Sequence, residues 1–391
     1  MRIVINGIGV AGAALGYWLS RSGHDVLLVE QAPQLRTGGY IIDFWGLGYE
    51  VVERMGLIGE IRRLGYQVRE VRIVNRSGRK RSGFKTDVFD RTTGGRFTSV
   101  RRSDLAATMF HAIEGKVETI FGDSVASVED TGDRVRVSFD HAAPREVDLV
   151  IGADGLHSRV RRLVFGADAE FETALDYHVA AFQAEGYRPR DELVYMSHSL
   201  PGRQISRFSM RNDETMFLFV FRDEYMTADE EPKSILRRAF GGAGWEWPQI
   251  DAALERATDI YFDGVTQIRM NRWSKGRVAL IGDAAACVSL MAGEGTGLAI
   301  AEAYVLAGEL HACGGDFATA FTRYEQRLMP FLRQKQLGAA KFAASFAPKT
   351  SFGLFVRDLV TQVMRVPFVA DFAVSRLLKD DITLPEYALP K

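Results

Sequence analysis

Residues 2–30 restrict the possible folds of this chain more than any other stretch. RIVING (2–7) is a short, β-branched apolar run of the kind buried in parallel sheets. GIGVAG follows without a gap and places glycines at 7, 9 and 12; a helical pattern then runs through AALGYWLSRSG to Gly23, and DVLLVE (25–30) supplies a second strand. This is a complete βαβ unit. Each glycine answers a different physical need, since Gly7 makes a tight turn, Gly9 lets backbone approach a pyrophosphate, and Gly12 lets the helix pack closely on the strand. The helix start at Val10 and Ala11 offers free N–H groups to phosphate. Glu30, with Gln31 beside it, ends the second strand where an acid can accept hydrogen bonds from ribose hydroxyls, and its charge would repel the 2′-phosphate of NADP at this seat. The fingerprint alone leaves FAD and NAD open.

At 391 residues the chain exceeds one ordinary core, which points to two domains or one large α/β domain with an insertion. Lysine and arginine total 49 against 50 acids, so no basic field exists to drive nucleic-acid binding. Cys287 and Cys313 are the only cysteines; they make no disulfide framework and no metal-ligand spacing, and a reducing cytoplasm fits them best. The apolar N-terminal run is too short for a signal-peptide core. The longest near-apolar region, 278–303, is interrupted by Asp283, Glu294 and Glu302, so it reads as buried core and no membrane partner is expected.

Two further strand-to-helix segments stand far from the first. VDLVIGADGLHSRVRRLVF (147–165) carries Gly152, Asp154 and Gly155 ahead of an arginine-rich helix start, and its residues alone favour a capped turn. RVALIGD ends on Asp283, and Gly293, Gly295, Thr296 and Gly297 then open another helix. Such a helix start carries positive partial charge and free N–H donors, which suit a phosphate or an anionic ring.

These three motifs, in this order and spacing, resemble the class A flavoprotein monooxygenases of the para-hydroxybenzoate hydroxylase type. The likeness covers about residues 1–330, and YFDGVTQIRMNRWSKGRVALIGDAA, AYVLAGEL and AFTRYEQRLMPF resemble the subgroup of tetracycline-inactivating flavoenzymes. The resemblance implies an α/β fold: a Rossmann-type FAD-binding domain with an inserted antiparallel-sheet substrate domain and a C-terminal helix. Its parts would be 1–172 and 270–330 for FAD, 173–269 for substrate, and 331–391 for the C-terminal helical region. It further implies that Gly7, Gly9, Gly12 and Glu30 hold the adenosine half of FAD. Arg102, in RRSDL, would approach the FAD phosphates, and Arg36 and Asp43 would be flavin neighbours. Asp154 and Gly155 would serve the pyrophosphate, Asp283 the ribityl and pyrophosphate region, and the backbone of Gly293–Gly297 the pyrimidine edge of the ring.

The activity implied is an NAD(P)H-dependent hydroxylation of an aromatic or polycyclic small molecule by O₂ through a flavin C4a-hydroperoxide, in a cytoplasmic monomer or weak dimer. NAD(P)H would visit transiently, since no second dinucleotide fingerprint exists. Ala286 stands where the family pattern has His, and Leu290 where it has Pro. Two other readings stay open: a flavin dehydrogenase or reductase without oxygen transfer, which the loss of that Pro favours, and a non-catalytic flavin-bound binding protein.

Between 173 and 269, QISRFSMR and TMFLFVFRDE are separated by NDE and read as a hairpin. Phe182, Met210, Phe217, Phe219 and Phe221 are assigned to core rather than to a substrate surface. No chemistry is assigned to Trp245, Glu246 and Trp247. From about 316 the spacing is helical through FGLFVRDLVTQVMRV, and its apolar face is expected to pack across both domains rather than to meet a membrane or partner; the resemblance also implies a C-terminal helix that closes over the substrate.

Overall fold

The computed structural model describes all residues except 36–39, 228, 364–366 and 390–391. The β-branched run at the N-terminus forms β1 (Arg2–Asn6), and DVLLVE forms β2 (Asp25–Glu30), joined by helix α1 (Val10–Arg21). Their sheet has the order β17-β18-β11-β1-β2-β7, with β7 (Glu118–Phe121), β11 (Leu149–Gly152), β17 (Ser274–Lys275) and β18 (Val278–Leu280). All neighbours pair in parallel except the edge strand β17. The chain winds from β1 through β2 in one direction and adds β11 and β18 on the other side. The strand order therefore reverses beside β1, and the carboxyl ends of β1, β11 and β18 open on one crevice, where α/β sheets bind ligands.

A second sheet of seven strands runs β16-β12-β15-β14-β13-β4-β5. It is built from β4 (Glu70–Val74), β5 (Lys80–Lys85), β12 (Glu172–Glu185), β13 (Val194–Leu200), β14 (Arg203–Ser209), β15 (Glu214–Arg222) and β16 (Tyr261–Ile268). The expected hairpin is β14–β15, in antiparallel register with Ile205 opposite Phe219. The sheet is wider than residues 173–269, because β4 pairs in parallel with β13 and brings β5 with it. Small sheets complete the strand set: β3 (Ile41–Phe44) with β6 (Thr98–Arg101), and β8 (Val125–Asp130), β9 (Val135–Phe139) and β10 (Arg145–Val147).

Alternation along the second sheet separates two environments. Phe182, Phe217, Phe219 and Phe221 point to one face and pack with Phe240 and Ile250 of α7 (Pro232–Phe240) and α8 (Trp247–Arg256). Met210 joins a separate cluster with Tyr66 and Phe208. These five are core, as expected. On the helix side lies a polar knot that the sequence did not reveal: Arg207, fully buried, is held by Glu246 at 2.7 Å and Asp191 at 2.7 Å, and Tyr187 donates to Glu246. Glu246 thus supplies the compensating charge for a desolvated guanidinium. The opposite face, with Val179, Val220 and Val265, packs on Leu290 and Met291 in the loop ahead of Gly293 and so looks onto the crevice.

The remaining helices are α2 (Gly46–Arg54), α3 (Ile58–Leu64), α4 (Asp87–Thr93), α5 (Arg102–His111), α6 (Arg159–Val164), α9 (Asp283–Ala286), α10 (Gly295–Ala312), α11 (Phe317–Phe346), α12 (Ser351–Val363) and α13 (Pro367–Leu378). The expectation for the C-terminal region divides. Helix α11 buries Phe321, Tyr324, Leu328 and Leu332 in the main core. Helices α12 and α13 instead leave large apolar side chains in solvent. The tail beyond them straps α2 against α10: Arg54 binds the Tyr304 hydroxyl and the Pro385 carbonyl, and Tyr387 donates to Glu309 at 2.6 Å.

Candidate functional site

The first glycine turn is built as its sequence requires. Gly7 has φ +103°, and a Cβ there would lie 2.6 Å from the Ala153 carbonyl oxygen. At Gly12 an added Cβ would lie 1.9 Å from the Gly7 oxygen. Gly9 is different: its backbone is extended (φ −77°, ψ −167°), a conformation open to any residue, and beyond its chain neighbours no atom of the described residues lies within 4 Å of a Cβ built on it. Neither strain nor packing among the described residues demands glycine at position 9. A cradle that only a side chain would fill, at a helix start with no capping side chain and no acid in its first turn, fits a phosphate group. Val10 and Ala11 lie in that first turn. Glu30 accepts from the Ile8 N–H at 2.9 Å and the Ala32 N–H at 3.0 Å, one on each oxygen, which fixes the carboxylate and leaves each oxygen a further lone pair for a ribose hydroxyl. Gln31 follows it, exposed.

The distant strand-turn-helix closes on the same crevice. A Cβ on Gly282 would lie 3.1 Å from Cβ of Ala11 and 3.3 Å from Cβ of Ala299, so the turn before Asp283 touches both α1 and α10. The Gly282 N–H donates to Glu302 at 2.9 Å, and the Tyr324 hydroxyl donates to the same carboxyl oxygen at 2.9 Å. Burial pushes Glu302 up to about 8, so at neutral pH it is a protonated, uncharged support beneath the turn. Asp283 stands 3.7 Å from a Cβ built on Gly295 and 3.9 Å from Arg102. Arg102, at the start of α5, is surrounded by protein, yet 42% of its side chain remains open to solvent, as in the wall of a cleft. Tyr40, Tyr261 and Cys287 stand around this pair, with the two tyrosine rings 5.7 Å apart. Burial is the first cause that raises Tyr40, Tyr261 and the Cys287 thiol, so all three are neutral.

Asp43 lies on β3, where Ser99 donates to its Oδ1 at 2.5 Å and burial raises its carboxyl above the usual range. It lines an open cleft together with Trp45, Leu47, Gly293, Glu294 and Asp380. Glu294 and Asp380 share Lys335, at 2.8 and 2.9 Å, which ties the start of α10 to α11 and the C-terminal tail. Gly293 is left-handed (φ +70°). Gly297 meets α2 so closely that a Cβ on Gly48 would lie 2.4 Å from its Cα, which makes it a close-packing position; Thr296 beside it is half-buried.

Asp154 and Gly155 serve the turn that their own residues suggested. The Asp154 carboxylate accepts from Asn6, from the Ser158 hydroxyl and from the N–H groups of Arg159 and Val160, which fixes β1 to β11 and caps α6. Arg36 lies outside the described residues. Ala286 is buried at the end of α9, and Leu290 packs against the second sheet. Between them Ser289 holds φ +145°, a strained conformation for a non-glycine residue, while its hydroxyl accepts from the Met291 N–H.

The arrangement matches known proteins in sequence and in shape. Residues 1–327 match the family described as FAD binding domain. A flavin-dependent monooxygenase of Legionella longbeachae serogroup 1 (strain NSW150) is 31% identical, covering 99% of this chain and 98% of that protein. The chain is an FAD-dependent monooxygenase of this family. A protein of Mycobacterium tuberculosis (strain ATCC 25618 / H37Rv) is similar to this monooxygenase at 39% identity, across 85% of the chain and 91% of its own length. The crystal structure of tetracycline destructase Tet(51) superimposes on it with a TM-score of 0.83 at 31% identity, over 99% of each chain. The fold expected from the sequence, a parallel FAD-binding sheet with a second sheet inserted, is the one this monooxygenase has.

Residues that the sequence reading left out stand on the face of the second sheet that α7 and α8 do not cover. Tyr195, Ser197 and Ser199 on β13 share a face with Gln204, Ser206 and Phe208 on β14 and with Met216, Leu218 and Val220 on β15. Period-two alternation could have paired them. It could not have said which face a pair of helices covers.

Proposed function

We propose that this monooxygenase oxidises NAD(P)H and inserts one atom of O₂ into an electron-rich aromatic or polycyclic phenol, tetracycline-like compounds included. The observation that carries this reading is the packing of the sheet's crevice face onto Leu290 and Met291, immediately before the Gly293 helix start. In this reading Tyr195, Ser197, Ser206, Met216 and Leu218, which share that face, form a mixed floor over the flavin seat, apolar enough for ring stacking and with hydroxyls for a phenol. Burial pushes the Tyr195 hydroxyl up to about 12, so it stays a neutral donor and acceptor across the working pH range. The similarity to tetracycline destructase Tet(51) supports the polycyclic end of the substrate range.

In this reading Gly7, Gly9, Gly12 and the α1 N–H groups hold the pyrophosphate, and Glu30 holds the adenosine ribose. Asp283 and Arg102 bind the chain of the cofactor, and Gly293–Gly297 border the pyrimidine edge. Bound FAD supplies the redox and oxygen-transfer chemistry. The protein's own residues do the rest: Ser99 fixes Asp43 beside the ring edge, Tyr40 and Tyr261 stand as neutral groups beside the Arg102–Asp283 pair, and the second sheet orients the substrate. NAD(P)H visits without a glycine fingerprint of its own.

A panel of phenols and tetracyclines, screened for acceleration of NAD(P)H oxidation, tests the proposal. At least one is expected to accelerate it, and Tyr195→Phe is expected to raise KM for that compound about tenfold with kcat nearly unchanged, the signature of a lost binding hydrogen bond. A panel without any accelerating compound, or an unchanged KM, counts against the proposed class or the proposed floor respectively.

A further inference from the structure

Asp380, just beyond α13, brings the C-terminal tail into the cleft that holds Gly293 and Gly297. Its Oδ2 accepts from the Leu47 N–H at 3.1 Å, at the start of α2. A Cβ on Gly46 would lie 2.5 Å from the same oxygen, so glycine there leaves the carboxylate its place. The Oδ1 of Asp380 takes Lys335 Nζ at 2.9 Å, and Lys335 also binds Glu294, the residue just before α10, at 2.8 Å. The starts of α2 and α10 are thus held by one carboxylate–ammonium–carboxylate clasp. The two helices touch behind it, where a Cβ on Gly48 would lie 2.4 Å from the Gly297 Cα.

The tail has other fastenings. Downstream, Arg54 donates to the Pro385 carbonyl, Tyr387 donates to Glu309 at 2.6 Å, and a Cβ on Gly308 would lie 2.1 Å from the Tyr387 ring, so that ring is closely seated. The three side chains of the clasp are exposed by only 13–15%. Desolvating two carboxylates against a single ammonium is a poor way to hold a tail, since a packed apolar contact does it at lower cost. Charges kept at such a place act instead on the group that the cleft receives. In the reading above, Gly293–Gly297 border the pyrimidine edge of FAD, and reduction adds negative charge to that side of the ring. We propose that Asp380 and Lys335 are positioning residues for the flavin: they fix the gap between α2 and α10 that admits the pyrimidine edge, and their charges set how readily the bound ring is reduced. The proposal rests on that seat for the ring. It gives the C-terminal tail, which lies outside every nucleotide motif, a part in the cofactor site.

The test reads the reduction equilibrium of the flavin in the full-length, FAD-loaded protein against a dye of known potential, with FAD content and melting temperature checked for each variant. Asp380→Asn and Glu294→Gln each take a negative charge from the cleft and keep the size of the side chain. Each is expected to shift the equilibrium toward reduced flavin by about threefold or more. Lys335→Met takes the positive charge and is expected to shift it the other way by about the same factor. All three substitutions break the clasp, so a merely structural role would move them in one direction, whereas charge requires opposite signs. Gly295→Val reports on the seat by itself, because a Cβ there would meet nothing nearer than Asp283 at 3.7 Å among the described residues. It is expected to weaken FAD binding about tenfold in a fluorescence titration of the apoprotein. Shifts of one sign in Lys335→Met and the two acid variants, or no shift in any, overturn the proposal, and a weakened Gly295→Val then leaves the seat standing. Parental affinity in Gly295→Val removes the ring from this cleft and the proposal with it.

Discussion

Gly9→Val is expected to give a folded protein that is colourless. Valine accepts the extended backbone at position 9, and beyond its chain neighbours a Cβ there meets no atom of the described residues within 4 Å, so the apoprotein should melt within about 1 °C of the parent. The isopropyl group would occupy the space beside the free N–H groups of α1 that a pyrophosphate must enter. FAD affinity should fall about 100-fold or more, two tenfold steps of 1.4 kcal/mol each. Gly12→Ala makes the contrast: its Cβ would lie 1.9 Å from the Gly7 oxygen, so backbone must move and both stability and FAD should be lost. Flavin absorbance after gel filtration, together with a melting curve, separates the two. A yellow Gly9→Val protein with parental affinity would remove the phosphate from this turn.

The second large effect concerns pH. Glu302 has an ordinary value of 4.5 and is raised to about 8 in the folded protein, chiefly by burial. The folded state therefore holds a proton that the unfolded state releases between these values, and the sign follows from linkage. The stabilisation is full below about 4.5 and is lost as pH rises through about 8, at about 1.4 kcal/mol per pH unit. Glu302→Gln keeps an acceptor for the Gly282 N–H and for Tyr324 but cannot ionise. The stability of the parent relative to this variant should decline by roughly 3–4 kcal/mol from pH 5 to pH 8, read by urea unfolding at each pH. A constant difference would mean that Glu302 titrates normally and does not carry a proton beneath the Asp283 turn.

The nucleotide half of this molecule was legible because its signals are local. A β-branched run, glycines at 7, 9 and 12 and an acid at 30 each impose a backbone or ligand constraint within a few residues, and β1, α1 and β2 form where they indicate. The distant strand and Asp283 were legible as a motif, while their contact with Ala11 is a product of sheet order. The second sheet was read too narrowly because β4 joins β13 by parallel pairing between segments more than 100 residues apart, which no local pattern announces. Its alternation was visible, but Phe217 and Leu218 exchange meaning according to which face α7 and α8 cover. Asp154 shows the converse: three donors from its own turn and the Asn6 amide of β1 hold its carboxylate, as the capped turn favoured by its own residues requires. The outward phenylalanines of α12 defeated the ordinary rule that an apolar stripe faces the core.

Labelling with ¹⁸O₂ tests oxygen transfer directly. With FAD-loaded protein, NAD(P)H and the compound that most accelerates its oxidation, mass spectrometry should find one ¹⁸O atom in the organic product, formed in step with NAD(P)H consumption. Product free of label, with the oxygen recovered as hydrogen peroxide or the substrate simply dehydrogenated, would rule out oxygen transfer.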